Sequence, residues 1–278
     1  MLLSRLFCLP LLFLACISSL SEATVTSDNT LNIKTIKTIG QLTSLVSSLD
    51  TLICINVDEI LLEPTQYLGS YAWFLSNASK IKESSIPVCS NELAFGYDAV
   101  NFLCQKRTVE SSCAQIIRSI GLNSSLNIIG ISHKGISLAE KVIDDLYDHG
   151  IDLFPYSGYE NESFLNDSEN VCLSELIVFT GGVLFCSEVP FEKALQDLLN
   201  KYNIIPKKLL YVSSNLKTIR TVGKYFRPYG IDFLGILYEK NEYLKAIEIH
   251  DKLQAANLQF NEFKAILPDD IIVSILQI

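Results

Sequence analysis

The hydrophobic positions of this chain fall into short unbroken runs separated by longer stretches of helical spacing. Thr51 to Val57, Leu126 to Ile131, Glu175 to Thr180, Lys208 to Val212 and Ile231 to Leu237 are apolar runs bounded by turn residues, as expected of strands covered on both faces. Between them, Ile136 to His149, Pro190 to Tyr202 and Leu216 to Phe226 carry apolar residues three and four apart, the spacing that lines one face of a helix. Strand and helix in alternation predict an α/β fold, a doubly wound parallel sheet with helices on both faces. Ahead of the first run, Ile39, Leu42, Leu45, Val46 and Leu49 also keep helical spacing, so Ile36 to Leu49 is expected to be a helix.

Two stretches break the rhythm. The interval Thr65 to Ser125 is far longer than a crossover needs; it reads as helical around Tyr67 to Lys82 and Ala99 to Ile120, with Ser84-Ser85-Ile86-Pro87 between. A mainly helical cap inserted at 65–125, beside a core made of 24–64 and 126–278, is the economical organisation. Trp73 and Phe74 are expected to pack at its root. The second stretch, Pro155 to Asn170, is rich in Ser, Asn, Asp and Glu and reads as an exposed loop. The tail from Glu239 to Phe260 returns to helical spacing, and the apolar ending Phe263 to Ile278 is expected to pack on the core.

The first 23 residues read as a secretory signal: Arg5, an apolar run from Leu6 to Leu20, then Ser21-Glu22-Ala23. The run is too short for a membrane span, and no later stretch is long and pure enough for one. An exported protein, periplasmic or secreted, is expected, with the mature chain not spanning the membrane. Phe13-Leu14-Ala15-Cys16 offers an alternative, lipid anchoring through Cys16. A net charge of −9 with a pI near 4.9 and no basic run argues against nucleic acid as a partner, since phosphate backbones are held by clustered Lys and Arg.

Export bears on the cysteines that follow the signal, Cys54, Cys89, Cys104, Cys113, Cys172 and Cys186. Cys54 reads as a small buried hydrophobe inside a strand. A disulfide among Cys89, Cys104 and Cys113 is plausible, with its connectivity open. Zinc-ligand spacing is absent.

The candidate chemistry lies where the first strand ends. In Thr51-Leu-Ile-Cys-Ile-Asn56-Val-Asp58-Glu59, Asn56 and Asp58 are two apart and share a face of the strand, pointing beyond the carboxyl edge of the sheet. Ile128-Ile129-Gly130-Ile131-Ser132-His133-Lys134 and the run ending in Ser213-Ser214 bring further polar groups to the ends of two other strands. His133, like Asp144-Asp145 and Asp269-Asp270, is most simply read as structural or solvated.

These strand ends resemble the motifs of the haloacid dehalogenase (HAD) phosphotransferase superfamily, which opens on a hydrophobic strand and Asp-x-Asp. Asp58-Glu59-Ile60-Leu61-Leu62-Glu63-Pro64, Leu68-Gly69-Ser70 and Trp73-Phe74 resemble more narrowly the uncharacterised exported HAD-like proteins of intracellular bacteria. The resemblance implies a nucleophile at Asn56, an acid/base at Asp58, a phosphate-binding hydroxyl at Ser132 and a phosphate-binding lysine near Lys193. It implies magnesium held at the positions of Asn56, Asp58, Ser213 and Ser214. On its own residues Lys193 reads first as a solvated helix lysine.

The departures fall on the chemistry. Asn56 is a poor nucleophile, and neutral Ser213 and Ser214 stand where a hard cation wants carboxylates. The expectation is a degenerate member with no cofactor, acting on an unknown protein or a small phosphorylated ligand as a binding or interaction module. The alternative is a residual Mg-dependent phosphatase working through Asp58.

Overall fold

A computed structural model describes residues 31–46, 50–70, 72–74, 76–77, 90–122, 126–159, 163–165, 175–239 and 246–265. The signal and Cys16, and with them Cys89, Cys172 and Asp269-Asp270, lie outside the described residues. The described residues from Asn32 onward form one compact unit that carries every element below.

Its centre is an eight-stranded sheet ordered β1-β10-β9-β2-β5-β8-β7-β6. The strands are β1 Asn32–Ile36, β2 Thr51–Asn56, β5 Leu126–Ser132, β6 Ser163–Phe164, β7 Val178–Thr180, β8 Val183–Phe185, β9 Lys208–Ser213 and β10 Asp232–Tyr238; β3 Leu62–Pro64 and β4 Lys106–Thr108 form a separate antiparallel pair. Strands β1, β10, β9, β2, β5 and β8 run parallel. The α/β fold with a mostly parallel sheet is therefore present. β2 lies between β5 and β9, with Asn56 opposite Ile131 and Ile55 opposite Val212. Leu52, Ile53, Cys54 and Ile55 are all buried, because a central strand between two helical layers has no solvent face.

Helices Ala139–Asp148, Phe191–Tyr202 and Leu216–Phe226 follow the sequence expectation closely. Asn215 caps the last of them, accepting from the backbone N–H groups of Lys217 at 2.9 Å and Thr218 at 3.3 Å, which satisfies donors that a helix start leaves open.

Several elements depart from expectation. Ile36–Leu49 does not form one helix: Ile36 closes β1, and among the described residues of this span only Ile39–Ser44 turns, as a 3-10 helix. The run Glu175 to Thr180 supplies only β7, and that strand is antiparallel. On the side away from β2, the parallel neighbour of β5 is β8, which follows a two-residue turn at Gly181 and Gly182 with φ of 57° and 76°. That backbone favours glycine, and a Cβ on Gly182 would lie 2.6 Å from the Leu153 carbonyl carbon. The stretch Pro155 to Asn170, read as a loop, contains the end of the Phe154–Ser157 helix and edge strand β6. Asp145 is not solvated; it is buried and ion-paired with Lys141.

The 65–125 interval divides in two. Helix Cys113–Gly121 belongs to the main core, burying Cys113, Ile117 and Ile120 in the cluster that holds Ile36, Ile39 and Leu42. The earlier part, entered and left through β3 and β4, contains helix Ser90–Leu103 and packs into a second cluster. There Leu68, Trp73, Val100 and Cys104 meet Ala256 of the C-terminal helix Ala246–Ala265. Trp73 is fully buried, with Phe260 edge-on at 5.0 Å and Tyr97 stacked at 6.5 Å, and its indole N–H donates to Asn257 Oδ1 at 3.0 Å. Cys54, Cys104, Cys113 and Cys186 are buried and unbridged, so Cys104 and Cys113 are not a disulfide pair. Each of these two thiols instead faces a backbone carbonyl, that of Leu68 or of Ile60.

Candidate functional site

The carboxyl ends of β2, β5 and β9 are adjacent by the register of the sheet, and the polar residues gathered there come from all three. After β2 the chain turns sharply: Leu61 and Leu62 N–H both donate to the Val57 carbonyl at 3.1 and 3.0 Å, and Glu59 adopts φ of 69°. This turn sets Asp58 against the end of β5. Ser132 Oγ donates to Asp58 Oδ2 at 2.8 Å, and the Lys134 ammonium pairs with Asp58 Oδ1. The Lys134 backbone N–H in turn donates to Ser132 Oγ at 3.2 Å, so the three residues form one closed unit.

The electrostatics follow from that unit. Burial alone would raise the Asp58 carboxyl, but the charge and hydrogen bond of Lys134, the Ser132 hydroxyl and the charge of Lys106 outweigh it and hold Asp58 below the ordinary carboxylate range. Glu59 moves the other way. Burial raises it, with Asp58 and Glu63 adding repulsion, against the relief of the hydrogen bond that Ser214 Oγ donates to Glu59 Oε2 at 3.0 Å.

The remaining sequence candidates are placed differently. Asn56 closes β2 with its Oδ1 buried and without a hydrogen bond. Ser213 is buried, and its Oγ accepts the Asn215 N–H at 3.1 Å, a local turn contact that occupies it ahead of the following helix. Lys193 is exposed on helix Phe191–Tyr202. His133 is exposed as well.

Asp58, Glu59, Lys134 and Ser214 border a cavity of about 490 Å³, whose other wall comes from the β3–β4 pair and the segment between those strands. That wall brings Leu62, Pro64, Tyr67 and Tyr97, and it brings two cations that the sequence did not flag, Lys106 and Arg107. Arg107 is neutralised by Glu63 at 2.8 Å. Lys106 Nζ donates to Asn101 Oδ1 at 2.7 Å. Burial, then repulsion from Lys134, lowers the Lys106 ammonium to about 8. Asn56, Ser132, Ser213 and Lys193 do not border the cavity. Among the described residues, no cluster of three or more His, Cys, Asp or Glu side chains has the arrangement of a metal site.

Of the missed residues, Lys134 had a readable signal. Lys134 is two positions beyond Ser132, so it shares that residue's side of the chain as the strand ends. Lys106 had none, because it reaches the site only through pairing of β4 with β3.

A family model described as a protein of unknown function (DUF2608) matches residues 32–272, from the first strand to beyond the last described helix. The chain belongs to the DUF2608 family. A Chlamydia pneumoniae protein carrying the name "Putative outer membrane protein" is 22% identical over 81% of this chain and 83% of its own length. A Chlamydia trachomatis protein of the same name is 23% identical over 81% of this chain and 84% of its own. No solved structure matches the chain. Among the described residues of this DUF2608 protein, no helix is long and apolar enough to cross a membrane.

Proposed function

We propose that this DUF2608 protein is an exported, catalytically degenerate HAD-like protein that acts as a binding module through the cavity at Asp58. The observation that carries the reading is the closed unit of Asp58, Ser132 and Lys134. A carboxyl held in its anionic form has no proton to give a leaving group at neutral pH, and the adjacent Asn56 cannot form the aspartyl-phosphate of the HAD route. The strand order β10-β9-β2-β5-β8 supports the superfamily reading, since it sets the motif-bearing strand ends side by side. The apolar leader, together with the names carried by the chlamydial relatives, supports export. A cavity of about 490 Å³ lies within the roughly 300–1,000 Å³ of small-molecule sites, which favours a small phosphorylated ligand over a flat protein contact.

The test is phosphate release from p-nitrophenyl phosphate with and without Mg²⁺. No turnover is expected. Metal-dependent turnover that disappears in Asp58→Ala would replace this reading with residual phosphatase activity. Restoration gives a second arm: Asn56→Asp with Ser213→Asp and Ser214→Asp is expected to create Mg²⁺-dependent thermal stabilisation, because carboxylates returned to these strand ends surround one ion. A triple variant that folds and ignores Mg²⁺ would count against the HAD-like site.

A further inference from the structure

Lys106 stands apart from the other cations at the cavity. Arg107 is matched by Glu63 and Lys134 by Asp58, whereas Lys106 is bonded to the neutral Asn101 amide, and among the described residues no carboxylate forms an ion pair with it. A partly buried ammonium that feels Asp58 only from a distance and has no ion-pair partner is unfavourable, and an anion from outside would supply one. The wall beside it is apolar and aromatic, with Leu62, Pro64, Tyr67 and Tyr97, and a bare phosphate would leave most of the volume unfilled.

We propose that Lys106, assisted by Lys134, holds the anionic head of the ligand, and that the ligand is a small organic phosphate or carboxylate whose apolar body lies along the Leu62, Pro64, Tyr67 and Tyr97 wall. The inference rests on the reading of this cavity as a binding site and names the residue that selects its ligand. Charge-assisted hydrogen bonds from two ammonium groups to one anion are the strong kind.

The surroundings of Lys106 also give the binding a pH dependence. Lys134 pushes the ammonium down, while Asp58 and, more weakly, Cys104 and Asp145 pull it up. Of the other ionisable groups at the cavity, Arg107 and Glu63 cancel and Glu59 is held by Ser214. Burial keeps the Tyr67 and Tyr97 hydroxyls neutral, and burial with the Glu110 hydrogen bond does so for Tyr238. Lys252 adds positive charge. With Lys106 titrating at about 8, it is mostly charged at about pH 7 and mostly neutral at about pH 9.

Phenyl phosphate, titrated calorimetrically into the protein in EDTA, tests this, with phenol and inorganic phosphate as probes lacking the head or the body. Phenyl phosphate is expected to bind more tightly than either, and about tenfold more weakly at about pH 9 than at about pH 7. Lys106→Arg should keep the affinity and abolish the pH dependence, because guanidinium stays charged. Lys106→Gln should lose tenfold or more at about pH 7. Should Lys106→Gln fail to fold, the pH profile of Lys106→Arg decides alone. Wild-type affinity in Lys106→Gln, an unchanged pH profile in Lys106→Arg, or no binding of phenyl phosphate to the wild-type protein overturns the inference. None of these touches the noncatalytic reading, which stands or falls on phosphate release.

Discussion

Replacing Asp58 with Asn removes one charge and little volume. It strands the Lys134 ammonium, whose side chain is only 6% exposed, while Ser132 keeps an oxygen to donate to. Breaking a fully buried ion pair from one side costs about 3–5 kcal/mol. The Asp58 side chain is 25% exposed, so water screens part of the loss and about 2–3 kcal/mol is expected. For a domain of this size each kcal/mol lowers Tm by about 2–4 °C, which places the drop at about 4–12 °C. Adding Lys134→Met removes the stranded charge and should restore most of the stability, so the two substitutions are strongly non-additive. The pH dependence has a definite sign. Asp58 has a lower value folded than unfolded, so its contribution is complete above the unfolded carboxylate value, near pH 4, and is lost as pH falls through the folded one. Urea unfolding of the wild type, both single variants and the double variant, at about pH 7 and below about pH 4, measures all of this. Equal stability of Asp58→Asn and wild type at neutral pH, or a deficit that persists undiminished in acid, would refute the ion-pair account.

Gly69 has φ of 81°, and a Cβ there would lie 3.1 Å from Val100 Cγ1 and 3.2 Å from Cys104 Sγ; Gly69→Ala is expected to lower stability by about 1–3 kcal/mol in a denaturant titration. Trp73 is the single tryptophan and fully buried, so intrinsic fluorescence should be blue-shifted and resistant to iodide, and Asn257→Ala, which leaves the indole N–H without its acceptor, should lower stability by about 1–3 kcal/mol in a denaturant titration.

How much of this was legible depended on how deeply each segment is buried. β2, β5, β9 and β10 were readable because central parallel strands are apolar throughout, and Leu216–Phe226 was readable because its buried face repeats at helical spacing. β1 left almost no pattern: Ile36 is its only buried residue, and the strand exists through register with β10. β8 has three residues, too few to show a period, and only the paired positive φ of Gly181-Gly182 separates it from β7. At the site, Asp58 and Ser132 were legible as strand-end polar residues. Lys134 was legible by its place two positions beyond Ser132, but its burial was not, because what keeps a lysine buried is a carboxylate 76 residues away in the chain. Lys106 is the extreme case, an ordinary-looking cation until the β3–β4 pair turns it inward.

The hydrogen bond between Trp73 and Asn257 spans 184 residues, and Lys252 on that same last described helix borders the cavity. A chain made from its N-terminus has therefore completed β2, its turn and the segment that carries Trp73 long before the helix that packs on Trp73 exists. In that interval Tyr67, Phe74 and Trp73 are unshielded apolar surface, the kind on which nascent chains stick to one another or to chaperones. The cavity beside Asp58 is thus walled late in synthesis, once the helix Ala246–Ala265 that carries Lys252 has folded onto the Trp73 cluster.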